Sequence, residues 1–336
     1  MKVLFVGGTG IISSGSAQLA LERGIELFIL RRGQSQKLDL PAGATALRGD
    51  IRNDPDGVAH LLHEYCSDHS FDAVVDWVAF TPDHIEQDLR VFAGRTRQLV
   101  FISSASAYQK PPSQFPVRED TPLVNPRWQY SRDKIACEDR LMRAFRDDGF
   151  PVTIVRPSLT YGLSQIPLVL GCWQHPWTMI DRMRRGLPVI VPGDGTSLWT
   201  VTWNGDFAKG LVGLLGREQA AGHAFHITSD EVLTWNAIYS EAGHAAGVEP
   251  RIVHIASDWI AARHPPFEGT LLGDKAHSAV FDNSKIKRFV PDFTCTVPWA
   301  EGVRRSLAWF EEDAARRTID EAHNAVLDRL VAAYGG

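Results

Sequence analysis

Val6-Gly7-Gly8-Thr9-Gly10-Ile11-Ile12-Ser13-Ser14-Gly15 follows directly on the apolar, β-branched run Lys2 to Val6. It leads into a segment, Ile11 to Arg23, with apolar residues at helical spacing and a stop at Gly24. The unit reads as strand, glycine turn, helix. A helix start carries unpaired N–H groups and the positive end of a dipole. An anionic phosphate is stabilised there if the backbone can approach it. Gly7 and Gly10 remove the Cβ atoms that would block that approach. Ser13 stands where a dinucleotide-binding turn places a third glycine, whose main task is close packing of helix on strand. A residue as small as serine shifts that packing slightly rather than abolishing binding. Taken alone, the turn is compatible both with dinucleotide binding and with a plain strand-to-helix joint.

The rest of the chain decides between these. Strand-like runs follow at Glu26 to Leu30, Thr45 to Arg48, Ala73 to Asp76, Gln98 to Ser103 and Val152 to Arg156, with helical segments between most of them. That alternation predicts an α/β protein with a doubly wound parallel sheet. After Arg156 the rhythm breaks into pieces rich in Trp, Pro and Gly, and helices recur near Trp299 to Asp313 and Ile319 to Ala333. The expected organisation is a dinucleotide-binding Rossmann domain over residues 1–160 and a smaller, mainly substrate-binding α/β domain over 161–336. Segments near 193–230 are expected to return to the first.

Length and composition narrow the function. The 336 residues carry 44% hydrophobic and 22% charged residues and a formal net charge of −5 with no basic block, which disfavours a nucleic-acid partner. Cys66, Cys137, Cys172 and Cys295 show no CxxC pairing, which suggests reduced thiols in a cytoplasmic protein. MKVLFVGG lacks the long apolar core of a signal peptide, and no apolar stretch is long enough to span a bilayer. His63, Glu64, Cys66, Asp68 and His69 match neither HExxH nor a zinc ribbon. They read as the end of a polar surface helix, so no metal is assigned.

Three further features suit a nicotinamide enzyme. In Tyr130-Ser131-Arg132-Asp133-Lys134, Tyr and Lys stand at i and i+4 on one helix face, where the ammonium is expected to stabilise a phenolate and lower the Tyr pKa. A tyrosine so tuned can exchange a proton with a substrate oxygen. Phe101 to Tyr108, with Ser103, Ser104 and Ser106, lies at the carboxyl end of the fifth strand, where such sheets bind ligands. Pro157 ends the sixth strand and fixes the chain beside the expected nicotinamide. Trp173, Trp199 and Trp203 offer flat rings to a sugar or a base, although most tryptophans are core.

These motifs together resemble the NAD-dependent epimerase/dehydratase family of extended short-chain dehydrogenases/reductases. The resemblance rests on GGTGIIS at Gly7 to Ser13, GDIRND at Gly49 to Asp54, SSASAY at Ser103 to Tyr108, YSRDK at Tyr130 to Lys134 and RPSLTYG at Arg156 to Gly162. It implies Tyr130 as catalytic acid/base, Lys134 as its pKa partner and ribose ligand, and Ser104 as the hydroxyl that polarises the substrate. It further implies that Gly7, Thr9, Gly10, Ile11 and Ile12 bind the cofactor phosphates and that Asp50 and Ile51 hold the adenine. Val78, Ala79, Ser103 and Pro157 would complete the cofactor site. Gly193 to Gly210 resembles the family's return segment, and the family often dimerises through the helices after the fourth and fifth strands.

Departures from the family pattern refine the expectation. Arg31 and Arg32 occupy the place of the acidic residue that NAD enzymes set on the ribose 2′-hydroxyl, which favours NADP over NAD without deciding it. Ser104 is followed by Ala105 and Ser106, not the Asp-Glu pair of 4,6-dehydratases. Asp76-Trp77-Val78-Ala79 replaces the usual HLAA and alters the pocket floor. The resulting expectation is an NAD(P)-dependent epimerase or oxidoreductase of a sugar-like, nucleotide-linked substrate, cytoplasmic and homodimeric. Two alternatives stand beside it: an NADPH-dependent reductase of a small non-sugar carbonyl compound, and a non-catalytic RNA-binding relative of the same fold.

Overall fold

The computed structural model describes residues 1–33, 40–65 and 70–335. The first half of the chain lays down β1 (Lys2–Val6), α1 (Ile11–Glu22), β2 (Glu26–Arg31), β3 (Thr45–Arg48), α2 (Pro55–Tyr65), β4 (Ala73–Asp76), α3 (Pro82–Phe92), β5 (Leu99–Ile102), α4 (Gln129–Asp148) and β6 (Val152–Pro157). These strands match the sequence expectation to within a residue at either end. Cys66, Asp68 and His69 of the polar cluster lie outside the described residues.

The second half contributes β7 (Leu159–Tyr161), α5 (Trp177–Arg184), β8 (Val189–Pro192), β9 (Leu198–Trp199), β10 (Val201–Trp203), α6 (Asn204–Leu214), β11 (His223–Ile227), β12 (Leu233–Thr234), α7 (Trp235–Ala245) and β13 (Ile252–Ile255). A seven-stranded parallel sheet runs in the order β11-β6-β5-β4-β1-β2-β3. Three two-stranded ribbons, β7 with β10, β9 with β12 and β8 with β13, build the other half.

Alternation along each strand gives the sheet two apolar faces. Val3, Phe5, Ile29 and Val75 turn toward α1 and α6, whereas Leu4, Val6, Phe28 and Val74 turn toward α2, α3 and α4. A separate core around Trp177, Trp199, Trp235 and Trp299 holds the second half together. The chain winds outward from β1 to β3 and then returns to β4 on the other side of β1. The crevice at the carboxyl ends of β1 and β4 is therefore the switch point at which such sheets bind ligands.

Candidate active site

The glycine turn is built for close approach. Gly7 has φ +79°, and a Cβ there would stand 2.8 Å from Val78 Cγ1. Ser13 has a task a glycine could not perform: its Oγ accepts the Gly10 N–H at 2.9 Å and donates to the Gly10 carbonyl at 3.2 Å. The first intrahelical bond is Ser14 N–H to the Gly10 carbonyl, so the amides of Ile11, Ile12 and Ser13 remain open as at any helix start. The close-packing glycine is Gly15. A Cβ on it would lie 2.9 Å from the backbone of Asn204 in α6. Asn204 Nδ2 in turn donates to the Ile11 carbonyl at 2.8 Å and clamps the turn from the second half of the chain.

The floor beside the turn is shaped by Asp76 at the end of β4. Its buried carboxylate is paired with Arg52 and accepts the Val78 N–H at 2.6 Å. Arg52 also binds Asp88 at 2.7 Å. This fixes Ala79, whose carbonyl accepts from Lys134 Nζ at 2.7 Å, while the Ile102 carbonyl accepts at 2.8 Å. Among the described residues nothing accepts the third ammonium proton of Lys134, which is left for a ligand. Phe80 and Phe101 lie 4.7 and 4.8 Å from the ammonium, and Tyr130 5.8 Å.

Burial among these groups brings the Lys134 pKa down to about 8. Burial also raises the Tyr130 phenol above its usual range, a trend that a hydrogen bond with Ser104 only partly offsets. The expected lowering of the Tyr130 pKa by Lys134 does not show in this geometry, where burial sets the direction and the Asp274 carboxylate adds to it.

A row of hydroxyls backs Tyr130. Ser104 Oγ lies 2.9 Å from Ser106 Oγ, which accepts from Ser131 Oγ at 2.8 Å. Ser104 also caps a short 3₁₀ turn by accepting the Ser106 N–H at 3.1 Å. Ser103 points the other way. Its hydroxyl donates to Glu138 at 2.5 Å, and Glu138 forms a buried ion pair with Arg156 at 2.6 Å. Only the remainder of Ser103 therefore faces the site.

A cavity of about 600 Å³ runs from the start of α1, past Ser104, Tyr130, Lys134 and Pro157, to Lys110, Asp274 and Lys275. Of the expected residues, Gly10, Ile11, Ile12, Ser103, Ser104, Tyr130, Lys134 and Pro157 line it. Gly7, Thr9, Val78 and Ala79 are not among the lining residues, although Gly7 packs against Val78 and Ala79 accepts from Lys134. Arg31, Arg32, Asp50 and Ile51 do not line it. Arg31 ends β2, Arg32 is exposed beyond it, and Ile51 is buried in the core. Asp50 spends its carboxylate on Arg52 N–H at 3.1 Å and Asn53 Nδ2 at 2.7 Å. Trp173 and Trp199 line the cavity, whereas Trp203 packs on Tyr161 at 5.3 Å.

Sequence reasoning missed Asn204, the hydroxyl of Ser131, and the Lys110, Asp274 and Lys275 group. It also missed Arg48, which pairs with Arg31 across β2 and β3. Among the described residues, no group of three or more His, Cys, Asp or Glu is placed to hold a metal ion, and no helix is long and apolar enough to cross a membrane.

The residues fit a dinucleotide. Gly7 leaves no room for a Cβ, open amides stand at Ile11 and Ile12, and one Lys134 proton is unspent beside the cavity. Comparison with known proteins agrees. A model of the NAD dependent epimerase/dehydratase family matches residues 3–228. The chain belongs to that family, whose members are enzymes of the extended short-chain dehydrogenase/reductase type.

It is 28% identical over 297 residues to 2'-dehydrokanamycin reductase of Streptomyces kanamyceticus, covering 87% of this chain and 80% of that one. It is 26% identical over 267 residues to the chloroplast stem-loop binding protein of 41 kDa b of Arabidopsis thaliana, covering 75% of this chain and 65% of that one. The structure of an epimerase from Methanothermobacter thermautotrophicus superposes with a TM-score of 0.76 at 18% identity, covering 94% and 93% of the two chains.

Proposed function

We propose that the protein interconverts a secondary alcohol and a ketone on a sugar-like, nucleotide-linked substrate, with Tyr130 as the acid/base. The observation that carries this reading is the convergence of Tyr130, Ser104 and Lys134 on one wall of a cavity that reaches the open amides of α1. A bound nicotinamide dinucleotide supplies the partner for two-electron oxidation or reduction of the substrate carbon. Ile11 and Ile12 N–H would hold its phosphates, and the Lys134 ammonium would donate a hydrogen bond to its ribose. Tyr130 gives its phenolic proton to a ketone oxygen or receives one from an alcohol. Ser104, bonded to Tyr130 and Ser106, orients that oxygen, and the hydroxyls behind it can turn to serve either direction.

NADP is the preferred cofactor on this reading. Arg31, Arg32 and Arg48 place three guanidinium groups at the ends of β2 and β3, where a 2′-phosphate accepts charge-assisted hydrogen bonds. The protein dimerises through α3 and α4. The test is turnover of sugars and nucleotide sugars with NADP(H) and NAD(H), together with native mass spectrometry for retained cofactor and dimer mass. Turnover that Tyr130→Phe leaves intact would falsify the assignment.

A net reduction rather than epimerisation is favoured by the relative named as a reductase. The stem-loop binding relative supports an RNA-binding reading, against which the formal net charge of −5 speaks. Salt-dependent RNA affinity would establish it.

A further inference from the structure

The end of the cavity beyond Tyr130 carries charges that proton transfer does not use. Asp274 is held between two ammonium groups, with Lys110 Nζ 3.1 Å from Oδ1 and Lys275 Nζ 3.3 Å from Oδ2. The three side chains are nearly withdrawn from water, being 3% exposed for Lys110, 8% for Asp274 and 12% for Lys275. Two cations against one anion leave a positive charge uncompensated in the cavity wall, an arrangement that is costly unless a further partner is supplied.

Trp199 stands beside both cations, its ring centre 5.4 Å from Lys110 Nζ and 5.8 Å from Lys275 Nζ. The residue is 2% exposed, and its Nε1–H has no acceptor among the described residues. Such orphaned buried donors are rare and call for an explanation.

We propose that Lys110, Lys275 and Trp199 form a subsite for an acidic group of the substrate, a carboxylate or a phosphate. The proposal rests on the reading of this cavity as the site of sugar oxidation and reduction. Surplus charge and orphaned N–H require the same complement, an acceptor that is also an anion. A neutral hydroxyl would satisfy the indole and leave the charge. An amine would add a second unpaired cation.

The subsite is also held at a set distance from the chemistry. Asn125 Nδ2 donates to the Ser106 carbonyl at 2.9 Å and to the Gly273 carbonyl at 2.7 Å, joining the serine turn to the turn that bears Asp274 and Lys275. Trp128 fills the interval, with its ring 5.0 Å from the Tyr130 ring and 5.7 Å from Lys275 Nζ. The acidic group thus sits across Trp128 from the phenol, on the reacting sugar or on the unit next to it. Asp274 limits the surplus to a single charge and so tunes the subsite to anions of low charge.

The test uses the full protein, loaded with whichever of NADP and NAD it binds, and measures binding calorimetrically. The probes are glucuronate, glucose 1-phosphate, glucose and an aminoglycoside. The acidic probes are expected to bind at least about tenfold tighter than glucose, and the aminoglycoside weakest. Lys110→Met leaves Asp274 paired with Lys275 alone and should abolish the preference. Asp274→Asn raises the surplus charge and should increase it. A purely structural ion cluster predicts instead that both variants weaken all probes alike, which overturns the subsite.

Equal binding of acidic and neutral probes by the wild type, or tightest binding of the aminoglycoside, also overturns it. Preference for glucuronate over glucose 1-phosphate identifies a carboxylate as the group recognised, and the reverse identifies a phosphate. Tyr130→Phe should keep the charge preference. A protein that sorts probes by charge but oxidises and reduces none of a sugar panel therefore retracts the redox reading and leaves the subsite standing.

Discussion

Ser13 Oγ holds the Gly10 amide hydrogen at 2.9 Å, in the place where a phosphate oxygen would otherwise compete for it. Ser13→Ala should destabilise the protein without cofactor by about 1 kcal/mol, the ordinary worth of a helix cap. With saturating dinucleotide the loss should shrink, because the phosphate can take the freed N–H. Urea unfolding with and without cofactor measures both, and an equal loss in the two forms would show that Gly10 N–H never meets the phosphate.

Tyr130→Phe preserves the ring, its contact with Trp128 and its packing, but removes the only proton-bearing atom of the side chain. The chemical step should slow by roughly 10²- to 10⁴-fold while cofactor affinity is unchanged. Single-turnover absorbance of the reduced cofactor, beside a binding titration, separates these effects.

Lys134 gives a pH signature with two opposite signs. Its ammonium titrates near pH 8 in the folded protein instead of 10.5. Between those values the unfolded chain binds more protons, so this group makes stability rise with pH there; below pH 8 its burial penalty is fully present. Cofactor affinity should run the other way and fall as pH passes 8, because the charged form supplies the third donor. Cofactor titrations on both sides of that pH should show the step in wild type and none in Lys134→Met, which should bind more weakly throughout.

Arg31→Asp combined with Arg32→Ala should weaken NADP much more than NAD, by about 1.5 to 3 kcal/mol for each contact made to the 2′-phosphate. Arg48→Ala should have the same sign, since Arg48 is the strand partner of Arg31. Isothermal titration with both cofactors decides it. Unchanged selectivity in the triple variant would place all three guanidinium groups in solvent.

Glu138→Gln leaves the Arg156 guanidinium buried without its carboxylate, and leaves one amide oxygen to serve both Ser103 and Arg156. Breaking a buried pair from one side costs about 3 to 5 kcal/mol. Chemical denaturation should register a loss of that size. A double variant that also replaces Arg156 by Met should recover part of it.

The cofactor half was legible because its signals are local. An apolar run, two glycines and a helical period define β1, the turn and α1 within about one helix length. Tyr130 and Lys134 declare a shared face by their spacing alone. The electrostatics of Lys134 were not legible, since its surroundings come from Phe80, Phe101 and two carbonyls on other elements. Asn204 reaches Ile11 across 193 positions, and no periodicity announces such a contact. Asp274 and Lys275 sit in a π-helical turn, Leu271–Lys275, whose place is set by Asn125 and which no simple apolar period announces. At the adenine end the sequence places Asp50 just after β3 but does not announce that its carboxylate also accepts from Arg52 N–H and Asn53 Nδ2 within its own turn.

The position of β11 at the margin of the sheet, beside β6, bears on how the protein is made. A ribosome delivers the glycine turn, Ser104, Tyr130 and Lys134 long before Asn204 and β11 leave the exit tunnel. During that interval β6 has an open edge of unpaired backbone groups, the kind of surface that recruits other strands. The helix that will receive the dinucleotide also lacks the α6 face against which Gly15 is fitted. Cofactor capture should therefore await completion of the chain through residue 227 rather than synthesis of Ser104, Tyr130 and Lys134. Nascent polypeptides arrested short of that point should depend on chaperones and resist rescue by added NADP.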